Sequence, residues 1–284
     1  AAISTPVVEV HISNILEREP WRRHSVIDPV HRIYGRGIHG YRWAVRHLLN
    51  RSAAPVARLA YGSLPDQVGD LRTPEGASML VVLVHGGLWR HEWTADTTES
   101  LATDLWRRGV ATYNIEYRRL GLGGGWPESF ADVSSALDRI PDLTGFPADR
   151  VVLLGHSAGA TMALWARHPG LTVALAPFCD LVESRARKIA GETFGRLLLE
   201  PLGDPAEYSP AHRLPRAGST VVVASPTDRL VPIDLIRRYA MAGRGLASTM
   251  DLLETDGGHF DLLEPLSSSW GLVIDVLGAR KAPV

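Results

Sequence analysis

Between residues 79 and 254 one pattern recurs: a short, β-branched and nearly uninterrupted apolar run, then a turn, then in most cases a stretch with helical spacing. The runs are Met79–Val84, Val110–Ile115, Val151–Leu154, Thr172–Leu175, Thr220–Ala224 and Met250–Leu253. A strand with one wet face alternates apolar and polar residues. A strand apolar on both sides is buried on both sides, as parallel strands covered by helices are. The intervening segments carry helix stop signals. Thr94–Arg108 stops at Gly109, Ser129–Ile140 before Pro141, Ala158–Arg167 before His168-Pro169, and Ile233–Ala242 before Gly243. The alternation predicts an α/β fold: a mostly parallel sheet with helices on both faces. Ligands of such sheets bind at the carboxyl ends of the strands, so chemistry is to be sought there.

Composition bounds the rest. A chain of 284 residues, 45% of them hydrophobic, buries a sizeable core as one large domain or one domain with an appendage. Thirty basic and 31 acidic residues leave a formal charge of −1, which argues against nucleic acid as the main partner. The longest apolar runs are strand-length, so no membrane association is expected. A single cysteine, Cys179, excludes an internal disulfide framework. With no signal-peptide pattern, it points to a reducing, cytoplasmic setting. No His-x-x-His, Cys-x-x-Cys or carboxylate cluster has ligand spacing, so neither a metal nor a cofactor is expected. The expected partner is a small-molecule substrate.

Charge is unevenly placed. Residues 1–53 hold eight arginines and five histidines against Glu9, Glu17, Glu19 and Asp28. The stretch Asn50–Pro55 reads as a linker. Two domains follow, residues 1–53 and 54–284.

Three strand ends carry candidate chemistry. Val151–Leu154 leads into Gly155-His156-Ser157-Ala158-Gly159 and straight on into a helix. A nucleophilic serine needs such a strand-to-helix turn to expose its hydroxyl, and the helix N-terminus supplies donors for an oxyanion. Met79–Val84 ends in His85-Gly86-Gly87-Leu88-Trp89. There the N–H of Gly87, or that of Leu88, joins that of Ala158 as an oxyanion donor, with Gly86 completing the hole, while His85 orients the loop. Ser157 requires a base and the base an orienting acid. His259, in Gly257-Gly258-His259, is the base, and Asp228, just past the strand Thr220–Ala224, is the acid; Asp204, Asp234 and Asp256 are its rivals.

These residues resemble an α/β-hydrolase of the esterase/lipase group, in the branch with an HGG-x-W motif that includes the kynurenine formamidases (arylformamidases). Further matching stretches are Tyr61-Gly62, Glu116-Tyr117-Arg118-Arg119-Leu120, Gly125-Trp126-Pro127 and His259-Phe260-Asp261, so the resemblance covers about residues 58–278. Gly159-Ala160 departs from relatives that continue with a second glycine. The resemblance implies acyl transfer through a serine acyl-enzyme, without metal or cofactor. A small or aromatic carboxylic ester is the leading substrate class, an arylformamide the alternative, and acyl transfer or cyclisation a third. Trp89, Trp93 and Trp126 lie on loops near the active face and are candidates for substrate stacking. Residues 180–209 interrupt the alternation and read as a small helical cap, with Arg185, Arg187 and Lys188 on a solvated face.

The first fifty residues resemble something else. Val8-Glu9-Val10-His11-Ile12-Ser13-Asn14, Arg18, Arg22-Arg23-His24-Ser25 and the glycines Gly35, Gly37 and Gly40 are similar to the C-terminal part of a type II 3-dehydroquinate dehydratase, a flavodoxin-like fold. The resemblance places Glu9, His11, Ile12, Ser13 and Arg22 at the substrate site, with Arg18 nearby. The family's catalytic tyrosine and arginine belong to its N-terminal half, so dehydratase activity is not expected from these residues alone, although a bifunctional fusion is an alternative. A parallel-sheet fragment this short cannot bury enough apolar surface to fold alone. It is therefore expected to dock on the hydrolase, to pair with another chain, as in a homo-oligomer, or to have lost an N-terminal portion.

Overall fold

The computed structural model describes residues 5–22, 31–51, 56–189, 204–246 and 249–278. The chain divides into two compact units, Ala1–Pro55 and Val56–Val284.

In the first unit, strands β1 (Val8–His11) and β2 (His31–Tyr34) pair in parallel, with Val8 opposite His31 and His11 opposite Tyr34. Helix α1 (His39–Arg51) packs on both. Ile15, Ile33, Trp43 and Ala44 are buried between them. Gly40 lets the helix sit close to β1, since a Cβ there would come 3.1 Å from the Val10 side chain.

The second unit is built on an eight-stranded sheet in the order β10-β9-β8-β7-β5-β6-β4-β3. β5 (Leu80–Val84), β6 (Ala111–Ile115), β7 (Val151–His156), β8 (Thr172–Leu175), β9 (Thr220–Ala224) and β10 (Met250–Glu254) run parallel and coincide with the six apolar runs to within two residues. β3 (Ala57–Ala60) and β4 (Val68–Arg72) add an antiparallel edge that the alternation does not announce, because their half-exposed sequences lack a continuous apolar run. The fold is that of an α/β-hydrolase.

All five residues of β5 are fully buried. Leu80, Val82 and Val84 join one cluster with Phe130 and Val133 of α3 (Glu128–Thr144) and Ala163 of α4 (Ala158–Trp165). Val81 and Leu83 point the other way by the two-residue period of a strand, so the opposite face is covered as well. The indole N–H of Trp270, in helix Ser268–Val276, donates to Asp104 of α2 (Glu99–Arg107) at 2.7 Å.

Two helix ends differ from the sequence expectation. α3 runs through Pro141 and stops at Gly145, whose φ of 77° is left-handed. Proline removes one N–H but its own carbonyl still accepts from Gly145, so a final turn survives. The helix Ile233–Gly245 likewise continues past Gly243, which lies against Met250: a Cβ there would stand 2.5 Å from the Met250 sulfur. That glycine is selected by close packing rather than by a helix stop.

The cap falls only partly on described residues. Residues 190–203 lie outside the described residues, as do Arg23–Ser25 and the linker residues 52–55. What is described of 180–209 is a short helix Leu181–Ala186 and another at Pro205–Tyr208. Leu181, Ile189 and Tyr208 belong to the main core cluster, which anchors both ends of the segment to the domain body. Arg187 pairs with Glu183 and Asp234 at 2.7 Å on the surface.

Candidate active site

β5 and β7 are neighbours although β6 lies between them in sequence, and β6 and β7 flank β5 on opposite sides. The loops that follow β5 and β7 therefore meet in the crevice where the strand order reverses, the usual ligand position in open α/β sheets. β7 delivers Ser157 and β5 delivers His85-Gly86-Gly87-Leu88.

Ser157 sits at φ 54° and ψ −122°, a conformation rare for a residue with a side chain. Such backbone strain costs about 1–3 kcal/mol and persists only where its surroundings impose it. They do so here. A Cβ on Gly159 would lie 2.1 Å from the Val84 carbonyl oxygen, so only glycine lets the first turn of α4 press against the end of β5. A Cβ on Gly86 would lie 2.9 Å from the Ser157 Cβ, so the β5 loop touches the elbow itself. Ala158 opens α4, where the first N–H groups lack intrahelical acceptors.

From the far side of the sheet, β10 leads into Gly257-Gly258-His259 and β9 into Asp228. Imidazole Nδ1 of His259 lies 2.7 Å from Asp228 Oδ2, and both side chains are almost wholly buried. The other carboxylate oxygen accepts from the N–H of Leu230 at 2.7 Å and of Val231 at 3.1 Å. Burial opposes the charge on Asp228, but His259 and these two N–H groups outweigh it and hold the carboxyl below its ordinary range. A carboxylate only accepts, so Nδ1 of His259 carries a proton and, in the neutral ring, Nε2 is the acceptor. The rival acids are placed elsewhere: Asp204 caps the helix Pro205–Tyr208, and Asp234 sits in the first turn of the helix Ile233–Gly245. No side-chain bond to His259 involves Asp256 among the described hydrogen bonds.

Ser157 and His259 share the wall of one pocket, of about 110 Å³. Gly86, Gly87 and Leu88 line it as well, and its apolar wall is Trp93, Phe178, Leu230, Phe260 and Leu263. Among the described residues, no lining residue is an Asp, Glu, Lys or Arg. Of the three tryptophans considered for substrate contact, only Trp93 lines the pocket, stacked on Phe260 with ring centroids 5.8 Å apart. Trp89 and Trp126 are 1% and 3% exposed and pack with Phe130, so both belong to the core instead. Local sequence could not separate them, since all three stand on loops of the same face.

Two supporting residues escape sequence reasoning as site elements. Glu116 accepts from the N–H of Ala95 at 2.6 Å and from His85 Nε2 at 3.2 Å. Burial works against its charge, yet Arg119 and His85 pull its pKa down to about 2. Glu116 thus braces the β5 loop, together with Tyr117, whose ring stacks on His85 and whose hydroxyl donates to the His85 carbonyl at 3.0 Å. The second is His156, the last residue of β7. A charged residue after β6 and a histidine before the serine were the available signals, but their partners lie far away in sequence.

In the first unit, Glu9 accepts from His11 at 2.6 Å and from Arg32 at 2.9 Å. Arg18 donates to Ser13 at 3.3 Å, and Ile12 is exposed. The backbone of Arg22 closes a short 3₁₀ turn, while its side chain lies outside the described residues. Among the described residues, no group of His, Cys, Asp and Glu is placed to hold a metal, and no helix is long and apolar enough to cross a membrane.

Known proteins are similar to the two units separately. A family model described as BD-FAE matches residues 70–174, and one described as dehydroquinase class II matches residues 1–49. Among solved structures, an esterase/lipase from an uncultured bacterium covers 83% of this chain and 88% of its own, with a TM-score of 0.66 and 15% identity. Thermogutta terrifontis esterase 2, phosphonylated by sarin, covers 79% and 92% with a TM-score of 0.67 and 17% identity. A putative thioesterase from Silicibacter sp. tm1040 covers 84% and 92% with a TM-score of 0.68 and 21% identity. The N-terminal stretch is 56% identical over 52 residues to the 3-dehydroquinate dehydratase of Anoxybacillus flavithermus and 53% identical over 53 residues to that of Bacillus subtilis. The matches take up 18% of this chain and only 35% and 36% of those dehydratases.

Proposed function

We propose that residues 56–284 are a serine hydrolase that cleaves a small or aromatic carboxylic ester through an acyl-enzyme on Ser157. The observation that carries this reading is His259, joined to Asp228 at 2.7 Å and lining the same pocket as a serine held in a strained strand-to-helix turn. Ser157 Oγ attacks the acyl carbon while His259 Nε2 takes its proton, and the carbonyl electron pair moves onto oxygen. The N–H groups of Gly87 and Ala158 receive that oxyanion, with Gly86 and Leu88 setting the loop. His259 then hands its proton to the leaving oxygen, and an activated water repeats the sequence to free the acid and Ser157. Asp228 stays ionised throughout and fixes the imidazole tautomer.

The pocket wall supports an uncharged acyl or leaving group, because burying an unpaired charge against Trp93, Phe178 and Leu263 carries a large desolvation cost. The stacked Trp93 and Phe260 rings favour an aromatic group, which keeps an arylformamide as second reading. The test compares p-nitrophenyl acetate with N-formylkynurenine, using Ser157→Ala as the zero. Ser157-dependent turnover is expected, and the ratio of the two efficiencies chooses ester or formamide. A fluorophosphonate should label the chain at Ser157, by analogy with the neighbour phosphonylated by sarin. Undiminished turnover in Ser157→Ala would refute the reading. For residues 1–51, which match about a third of a dehydratase, no turnover of 3-dehydroquinate is expected.

A further inference from the structure

We infer that His156 is a positioning residue that ties the main chain of His259 to the nucleophile elbow; the inference rests on the serine-hydrolase reading above. His156 is the last residue of β7 and is 2% exposed. Its Nε2 lies 3.0 Å from the carbonyl oxygen of His259, a contact spanning 103 residues of chain. The two imidazole centroids are 4.6 Å apart. On the other side, a Cβ on Gly86 would come 2.9 Å from His156 Nδ1, so the ring also touches the β5 loop. One side chain at the end of β7 therefore contacts the loops that follow β5 and β10.

The chemistry of the bond fixes the state of the ring. A carbonyl oxygen only accepts, so the proton sits on Nε2 and His156 donates. Burial, assisted by the His259 and His85 rings, pushes its pKa down to about 3, while the bond to the His259 carbonyl and then Asp228 oppose that fall, so the ring is neutral at working pH. A neutral donor adds no charge beside the imidazolium that His259 becomes during turnover.

The loop that needs this tether is glycine-rich. Gly257 has a φ of 99°, and Gly258 follows it. Asp228 holds the His259 ring at Nδ1, and Thr227 and Asp261 hold Gly257 and Gly258 at 2.7 and 2.6 Å. The carbonyl of His259 itself is held by His156. With ring and main chain both fixed, Nε2 of His259 points at the pocket in one orientation.

The full chain is compared as wild type, His156→Gln and His156→Phe, with Ser157→Ala as the zero. Glutamine places an N–H the same number of bonds from Cα; phenylalanine fills the space without a donor. Phe is expected to lower kcat about 10–100-fold with KM moved less than about threefold, because a small misplacement of a catalytic base is costly. Gln is expected to recover most of kcat. Equal losses in Gln and Phe would overturn the tether and leave packing as the role of His156. So would an unchanged kcat in Phe. If Phe fails to fold by thermal melting, His156→Asn replaces it, since its amide falls one bond short and should lose kcat where Gln does not. Ring ¹⁵N NMR reads the tether without substrate: His156 should keep a protonated Nε2 between about pH 5 and 8. A titrating His156 ring overturns the inference. A non-titrating ring in a chain with no Ser157-dependent turnover supports the tether and refutes the hydrolase reading instead.

Discussion

Replacing Asp228 by Asn isolates what the acid does, because the two oxygens of Asp228 have different partners. Oδ1 accepts from the N–H groups of Leu230 and Val231, and Oδ2 accepts from His259 Nδ1. Asparagine has one oxygen and one NH₂. Turned so that its oxygen faces the two backbone donors, it keeps two bonds and presents an N–H to His259. The imidazole must then accept at Nδ1 and carry its proton on Nε2, toward Ser157, where it can no longer act as base. The alternative orientation forces an NH₂ against two buried N–H groups, at about 1–3 kcal/mol for each donor left unpaired. The first orientation wins, and geometry survives while the tautomer inverts. In triads built this way the change lowers kcat by about four orders of magnitude, equivalent to about 5 kcal/mol of transition-state stabilisation. The assay is steady-state hydrolysis of p-nitrophenyl acetate, with thermal melting as the control for folding. A folded Asp228→Asn variant within about tenfold of wild type would refute the tautomer reasoning. If Asp204→Asn proved the damaging change, Asp228 would not be the acid.

Three further outcomes rest on the same geometry. Glu116 has a folded pKa of about 2, below its unfolded value near 4.5, so its charge stabilises the fold above pH 4.5 and that contribution is lost as pH falls toward 2. Glu116→Gln should therefore melt earlier than wild type at pH 7, by a margin that narrows on acidification; a gap that is constant or widens between about pH 5 and 3 would contradict the assignment. Trp93→Ala removes pocket wall and should raise KM for an aromatic ester by about tenfold, with little change in melting temperature. Trp126→Ala, which deletes a core side chain, should cost about 3–5 kcal/mol of stability instead. The reverse pattern, read by melting and by KM together, would mean that these two tryptophans are misassigned.

The six parallel strands and their order along the chain were legible in the sequence alone. Continuous apolar runs give buried strands because hydrophobic periodicity is local, and the Gly155–Gly159 stretch marks a strand-to-helix turn because so tight a turn needs residues without a Cβ on either side of the serine. The candidates Ser157, Asp228 and His259 were readable for the same reason: each stands just beyond a strand end. Tertiary structure decided what depends on partners distant in sequence. The order β7-β5-β6, which brings Gly86 against Ser157, is a matter of pairing across tens of residues. The edge strands β3 and β4 were illegible because half-exposed strands carry no distinctive run. Trp89, Trp93 and Trp126 look alike on loops, and only packing sorts two into the core and one into the pocket. His156 was a spacer in a five-residue pattern until the fold set it 3.0 Å from a carbonyl 103 residues away. A buried polar group takes its meaning from the partner that satisfies it, and local sequence does not name that partner.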